Sequence, residues 1–342
     1  MKTVLVTGGA GYIGSHTIIE LLNNGGYEVI SVDNFFNSSP QAYKQIETIT
    51  GKKIKTYQLD LCDENAFAKI FIENKIDGVI HFAAFKAVGE SVELPLKYYH
   101  NNISSLVNLL ELCLTYKISN VIFSSSCAVY GNIEKLPVDE NTSLPKAESP
   151  YAYSKQIGEA MIDDVCKQNK FFKAISLRYF NPVGAHVSGT IGEWPINKPS
   201  NLVPMITGAA IGKYNQLIVN GGDYPTRDGT NIRDYIHVTD IANAHVLALD
   251  YLLTNKNVFN YDVFNLGSGN GISVLEAIAA FEKVSGKKLN YKIGEKRDGD
   301  VIAVYSNSSK VEKALGWKCD HNINSMMKTA WHWELYRAKE KI

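Results

Sequence analysis

The chain has no excess of charge, no long apolar run and no closely paired cysteines, and each of these gaps removes a class of function. Its 35 Lys and Arg residues are balanced by 35 Asp and Glu, and no Lys/Arg block occurs in the 342 residues. A nucleic-acid or anionic-membrane surface therefore finds no electrostatic support, and any anion is held by local groups. No apolar stretch reaches membrane-spanning length. The N-terminal run, Met1-Lys-Thr-Val-Leu-Val-Thr-Gly8, turns glycine-rich too soon for a signal-peptide core, so a soluble, cytoplasmic protein is expected. Cys62, Cys113, Cys127, Cys166 and Cys319 are odd in number, irregularly spaced and contain no Cys-x-x-Cys, which argues against disulfides and structural zinc. The eight histidines include no His-Glu-x-x-His, and His237 and His245, on a stretch read as helical, suit core or cap positions better than ligation. No metal is expected. Ser124 and Ser125 lack the Gly-x-Ser-x-Gly elbow of a hydrolase.

What is present is alternation. Over the first 180 residues, β-branched runs at Lys2 to Thr7, Tyr27 to Val32, Ile54 to Leu59, Gly78 to Phe82, Val121 to Ser124 and Ala174 to Arg178 alternate with helical patterns. This predicts a Rossmann-type, doubly wound parallel sheet in an α/β protein, with ligands beyond the carboxyl ends of the strands. Between Pro182 and Asn201 the composition shifts to Gly, Pro, Ser and Asn, which excludes regular structure and marks the exit into a second lobe. Beyond it, a helix at Ser273 to Ser285 and a strand at Asp262 to Leu266 fit a smaller, mixed α/β substrate lobe. The expected division is 1–180 for a dinucleotide domain and 181–342 for the substrate lobe, with some segments crossing between them. Trp317, Trp331 and Trp333 are read as packing the C-terminal helix.

Gly8-Gly-Ala-Gly11-Tyr12-Ile13-Gly14 follows the first strand and opens a helix running through Leu22. It satisfies Gly-x-x-Gly-x-x-Gly and, from Gly9, Gly-x-Gly-x-x-Gly, giving a tight turn, close backbone approach and a helix N-terminus for a pyrophosphate. Asp33 closes the second strand 19 residues after Gly14, where a carboxylate accepts both ribose hydroxyls of NAD and repels the 2'-phosphate of NADP. No arginine follows it in Asn34-Phe35-Phe36-Asn37-Ser38, so NAD is the expected cofactor. Asp60 is read either as an adenine-edge contact or as a helix cap, and Asn101 either as a brace for the nicotinamide or as a cap. Lys86 either approaches phosphates or is a solvated loop lysine.

The second cluster is Tyr151-Ala-Tyr153-Ser-Lys155, with Ser126 at a strand end 25 residues before Tyr151. A tyrosine four residues before a lysine shares its helix face, so the cation is expected to stabilise a phenolate near neutral pH. Tyr153 is only two residues from Lys155 and faces elsewhere. A strand-end hydroxyl and a helix-borne phenol converging on one alcohol suit proton abstraction from a carbinol coupled to hydride transfer.

Gly8 to Gly14, Ser126 with Tyr151-x-x-x-Lys155, and Arg178-Tyr-Phe-Asn-Pro-Val-Gly-Ala-His186 together resemble the extended short-chain dehydrogenase/reductase family. The likeness is greatest to its members that act on nucleotide sugars. It continues through Val79-Ile-His-Phe-Ala-Ala84, Lys86-Ala-Val-Gly-Glu-Ser91, Asn201-Leu202, Arg233-Asp-Tyr-Ile-His-Val238, Arg297-Asp-Gly-Asp300 and Thr329-Ala-Trp-His-Trp333. The resemblance implies reversible interconversion of UDP-galactose and UDP-glucose through a transient 4-ketosugar. Tyr151 is the implied base on the 4'-hydroxyl, Lys155 lowers its pKa, and Ser126 hydrogen-bonds the same oxygen. The implied NAD site comprises Gly8, Gly11, Tyr12, Ile13, Gly14, Asp33 to Ser38, Asp60, Leu61, Phe82, Ala83, Ala84, Lys86, Asn101, Ser126, Tyr151, Lys155 and Phe180. The implied UDP-sugar site adds Asn181, Asn201, Leu202, Ile218, Val219, Asn220, Arg233, Arg297, Asp300 and Val304 to Lys86, Ser126 and Tyr151. Arg233 and Arg297 correspond to pyrophosphate clamps, and a homodimer built on helices such as Leu94 to Lys117 and Tyr151 to Asn169 is implied.

Two departures stand out. Asn220, in Val219-Asn-Gly-Gly-Asp-Tyr224, replaces an aromatic beside the uracil, and Val304 stands where a bulky Tyr is common. A smaller residue there implies room for 2-acetamido sugars, hence UDP-GalNAc and UDP-GlcNAc. A nucleotide-sugar dehydratase would need an Asp-Glu pair after the strand-end hydroxyl, where this chain has Cys127-Ala128-Val129. A dehydrogenase exchanging NADH with solution and a dinucleotide-sensing binding protein are the remaining alternatives, and the latter has no use for Tyr151, Lys155 and Ser126 together.

Overall fold

The structure, a computed structural model, describes residues 1–196, 199, 201–296 and 300–340. β1 (Lys2–Thr7) leads through α1 (Tyr12–Asn24), β2 (Tyr27–Asp33), α2 (Gln41–Thr50), β3 (Lys55–Gln58), α3 (Glu64–Glu73), β4 (Gly78–His81), α4 (Val88–Glu93) and α5 (Pro95–Thr115) to β5 (Asn120–Ser126), α6 (Pro150–Gln168) and β6 (Lys173–Tyr179). Next come β7 (Asn181–Val183), α7 (Leu202–Ala210), β8 (Leu217–Asn220), β9 (Ile232–His237), α8 (Val238–Leu253) and β10 (Tyr261–Leu266). The chain ends with β11 (Gly271–Ser273), α9 (Val274–Ser285), β12 (Tyr291–Gly294), β13 (Ala303–Val304), α10 (Ser309–Leu315) and α11 (Ile323–Glu340).

Seven strands form the main sheet in the order β10-β6-β5-β4-β1-β2-β3. The β1–β2, β1–β4, β2–β3 and β4–β5 pairs run parallel. β4 and β5 are buried at every position, as strands covered on both faces must be. The order reverses between β1 and β4, and such a switch point opens a crevice at the strands' carboxyl ends. The glycine loop leaves β1 there, and Phe82 to Lys86 leave β4.

The chain forms two compact units: 1–129, 144–178 and 242–264 make the first, and 130–143, 179–241 and 265–342 the second. Residues 242–264, which the sequence assigns to the later lobe, join the first for a physical reason. α8 packs on the sheet, with Leu249 against Gly78 and Asp250 accepting from the Tyr27 hydroxyl, and β10 is the outer strand beside β6. The first unit's core joins sheet residues such as Leu5, Ile30, Val79 and Phe123 to Phe67, Leu106, Leu109 and Ile162 from the helices. The second has its own core, with Val183, Val203, Val219, Tyr235, Phe281 and Trp331 drawn from β7, α7, β8, β9, α9 and α11.

Two local expectations are corrected. The segment from Pro182, read as lacking regular structure, contains part of β7, which pairs in parallel with β9. Pro182 is tolerated because a sheet-edge strand can spare the missing N–H. His237 ends strand β9 instead of lying on a helix, and its Nε2 bonds Thr329 Oγ1 at 3.0 Å. Among the described residues no helix is long and apolar enough to cross a membrane.

Candidate active site

The turn after β1 is held by backbone. Gly8 has φ +69°, and a Cβ there would lie 2.8 Å from Ala83 N; on Gly14 it would lie 2.4 Å from Gly8 O. Only glycine permits this packing. Gly11 caps α1 with no side-chain cap bond, and no acidic residue lies in the first turn. Asp63, Ser149 and Ser273 cap α3, α6 and α9, while α2, α4, α5, α7 and α10 lack a side-chain cap as α1 does, so it is the glycine turn that sets α1 apart. An N-terminus left without a side-chain cap beside a glycine turn suits an anion such as a pyrophosphate.

Asp33 is buried at the end of β2. Its Oδ2 accepts from Ala10 N at 3.0 Å, and its Oδ1 accepts from Phe35 N at 2.9 Å and Ser38 Oγ at 2.7 Å. Three of about four acceptor positions are thus filled, leaving one for an incoming hydroxyl where the sequence suggests two. Ser38, a rotatable hydroxyl, is the donor most easily displaced. Phe35 takes φ +57°, which turns the loop back toward Asp33. Phe36 and Asn37 are exposed, and Lys97 Nζ stands 4.8 Å from the Phe36 ring centroid.

The remaining cofactor candidates vary in setting. Asp60 accepts from Cys62 N at 2.8 Å and from Asn34 Nδ2 at 3.4 Å; Asp63, not Asp60, caps α3. Leu61 is buried. Phe82 N donates to Thr7 O, and Ala83 N to Thr7 Oγ1, so the segment leaving β4 is tied to β1. Ala84 is half-buried and Lys86 exposed in the same segment. Asn101 lies inside α5 and does not cap it; its Nδ2 donates to Asn102 Oδ1 at 2.9 Å. Phe180 is buried, its ring stacked on Tyr130.

At the end of β5 the proton-transfer groups converge. Tyr151, Lys155 and Glu159 lie four residues apart on α6, all buried. Against burial, the side chain of Ser126, the last residue of β5, acts on the Tyr151 phenol and lowers its pKa. Tyr153, by contrast, is half-exposed and packs edge-on against Tyr99. Burial pushes the Tyr151 phenol up to about 12, with the Ser126 side chain opposing and Cys127 adding to the rise. Lys155 Nζ donates to Ser124 O at 2.7 Å and stands 4.9 Å from the Phe123 ring centroid. Burial pulls it down to about 8, and Glu159 opposes that fall. With the protein's own groups alone, desolvation outweighs the Ser126 side chain and raises the phenol, where the sequence reading expects a nearby cation to stabilise the phenolate near neutral pH.

In the second unit, β9 carries Arg233 with β7 and β13 beside it. Asn181 is in register with Tyr235 and Val304 with Arg233, and Arg233 Nη2 is 3.9 Å from Asp300 Oδ1. Arg233, Asp300, Val304 and Asn181 therefore share one small sheet and its margin. Asn201 precedes α7 and donates to Glu193 Oε1 at 2.8 Å, while Leu202 opens the helix. Ile218, Val219 and Asn220 lie on β8, and of these three Val219 alone is buried. Arg297 lies outside the described residues.

Two buried carboxylates were not singled out from sequence. Glu159 accepts from Ser125 Oγ at 2.6 Å and takes a two-pronged clamp from Arg178, Nε at 2.8 Å and Nη2 at 2.5 Å. Asp234, next to Arg233, accepts from Ser268 N and Oγ, Gly269 N, and Ser306 N and Oγ, all within 3.1 Å. It fixes the strand bearing Arg233 to the segment following Val304. The signal available was an acid amid strand residues that must be buried, since a buried charge needs dedicated partners.

A profile described as the NAD dependent epimerase/dehydratase family matches residues 4–267, and the chain belongs to that family. It is similar to the UDP-glucose 4-epimerase of Drosophila melanogaster, 47% identical over 338 residues, 97% of this chain and 96% of that one. The crystal structure of UDP-glucose 4-epimerase from Bifidobacterium longum in complex with NAD+ and UDP is 46% identical, with a TM-score of 0.94 over 99% of both chains. The UDP-Glc/GlcNAc 4-epimerase of Campylobacter jejuni is 38% identical, with a TM-score of 0.84 over 98% of this chain and 99% of that one.

Proposed function

We propose that the chain is an enzyme that interconverts UDP-galactose and UDP-glucose by inverting carbon 4' of the sugar, with NAD as its cofactor. The observation that carries this reading is the buried Tyr151 phenol, its pKa lowered against burial by the Ser126 side chain at the end of β5, with Lys155 one helical turn away. Full-length similarity to UDP-glucose 4-epimerases supports the substrate. The uncapped N-terminus of α1 would hold the pyrophosphate of NAD and Asp33 a ribose hydroxyl, with Asn34 to Ser38, Asp60, Leu61, Phe82 to Ala84, Lys86, Asn101 and Phe180 around the remainder. When bound, NAD supplies a hydride acceptor for carbon 4' and a cationic ring.

Tyr151 takes the proton of the 4'-hydroxyl, and Ser126 bonds the same oxygen. Lys155 favours the phenolate: an opposite charge within about 4–6 Å lowers an acid's pKa by about 1–3 units, and substrate and cofactor supply the rest. Reversal on the opposite face of the 4-ketosugar returns the proton from Tyr151. The uridine diphosphate is assigned to Arg233, Arg297, Asp300, Asn201, Leu202 and Ile218 to Asn220, and the sugar to Asn181, Lys86 and Val304. A two-pronged guanidinium matches phosphate oxygens.

The finer reading extends to partners and place. Exposed Val88, Val92, Leu94, Leu96 and Tyr153 on and around α4, α5 and α6 favour a homodimer through this face, and five cysteines without a disulfide among the described residues suit a reducing, cytoplasmic setting. The size of Val304 favours UDP-GalNAc and UDP-GlcNAc as further substrates.

Purified protein given UDP-galactose and no added cofactor is expected to form UDP-glucose in a coupled dehydrogenase assay, and to turn over UDP-GalNAc at high enzyme concentration. No UDP-glucose would remove the main reading; no UDP-GalNAc turnover would remove the extension.

A further inference from the structure

The mechanism above leaves Glu159 unused, although burying a carboxylate costs several kcal/mol unless its surroundings compensate. It lies one turn beyond Lys155 on the face of α6 that carries Tyr151. Arg178 from β6 clamps both of its oxygens, and Ser125 from β5, the neighbour of Ser126, donates to Oε1. We propose that Glu159 is a positioning residue for the reaction: the counter-charge that keeps the buried Lys155 ammonium protonated and seated at the end of β5, behind Tyr151. The role assigned to Lys155 rests on the function proposed above; the charge relation between the two side chains does not.

The geometry places three buried charges in sequence: Lys155, Glu159 and Arg178. An ammonium 4% exposed loses most of its hydration, and its direct partner, Ser124 O, is a neutral carbonyl. The other groups facing it do not hold its charge. His81 on β4 is pushed far down, to about 3, by burial and by Lys155 itself, so it is neutral; its Nδ1 bonds Thr7 Oγ1. Phe123 on β5 offers only a ring face, and Tyr151 is a protonated phenol. Around Glu159, Tyr261 on β10 is pushed well up by burial and by Glu159, with Asp163 adding to the rise, so it too stays neutral. Glu159 is thus the anion acting on Lys155, and burial and Glu159 are opposing causes of its position at about 8. Arg178 fixes where that anion sits. A purely structural ion pair would need Arg178 and Glu159 alone, with no consequence for the ammonium.

The test reads Lys155 directly. In protein labelled with 15N-lysine, the Lys155 Nζ resonance, assigned by its loss in Lys155→Arg, is followed against pH without turnover. The unaltered protein should titrate near 8. Glu159→Gln should move the midpoint down by about one unit or more. At pH 8 the charged fraction then falls from about one half to about one tenth, so kcat should drop about fivefold with KM little changed. Glu159→Asp, which keeps the charge but withdraws it by one methylene, should shift the midpoint in the same direction by less, and it carries the test should the Gln variant not fold. An unmoved Lys155 midpoint in either folded variant would overturn the proposal. Failure of the unaltered protein to epimerise UDP-galactose would strike the substrate assignment instead, because the titration requires no substrate.

Discussion

Among single side chains, burial acts on Tyr151 and Lys155 in opposite numerical directions for one reason: it favours the neutral form of each. The phenol rises to about 12 and the ammonium falls to about 8. Lys155 is charged below about 8 and neutral above it, so its help to the phenolate is present at lower pH and lost as pH rises. kcat for UDP-galactose should fall as pH rises through about 8, and a flat profile to pH 10 would contradict that dependence. Tyr151→Phe removes the hydroxyl while keeping the ring, so circular dichroism should match the parent and kcat should fall by about 10²–10⁴-fold, the usual worth of a general acid or base. Helical spacing made it legible in sequence that Tyr151, and not Tyr153, shares the buried face of Lys155. The pH behaviour was not legible, since burial and the turn of Lys155 toward Ser124 O depend on neighbours remote in sequence.

Secondary-structure elements place these groups by close packing. α6 crosses β5 so tightly that a Cβ on Gly158 would lie 2.7 Å from Phe123 Cζ and 3.1 Å from Leu106 Cδ2. Gly158→Ala should therefore push the helix bearing Tyr151 and Lys155 off the strand bearing Ser126. Overpacking of this kind costs about 1–3 kcal/mol. Thermal unfolding should show a lower Tm together with reduced kcat; an unchanged Tm would mean that Phe123 and Leu106 yield freely. The strands themselves were readable: β1 has the predicted bounds, and no end of β2, β4, β5 or β6 lies more than two residues from its predicted place. β7 was missed because proline and glycine dominate its surroundings, while its pairing with β9 is a long-range contact. Asp234 was missed for a related reason, its five donors being brought together by strands distant in sequence.

Over the whole molecule, the two units interleave along the chain, and the first takes 242–264 from between two segments of the second. The alternating βα pattern made the first unit's sheet legible, whereas composition shifts alone could not place α8 against it. The glycine loop, Asp33 and the Tyr151 cluster lie in the first unit, while Arg233, Asp300 and Val304 lie in the second. Under the proposed function the first unit would carry the cofactor chemistry and the second the recognition of the uridine diphosphate. The most direct test of epimerisation at carbon 4' uses UDP-galactose deuterated at that carbon, incubated in ordinary water with the protein alone and followed by proton and deuterium NMR. Expected is UDP-glucose that keeps its deuterium at carbon 4', the label having left and returned without meeting solvent. Product carrying solvent hydrogen at that carbon, or no UDP-glucose at all, would contradict the proposed reaction.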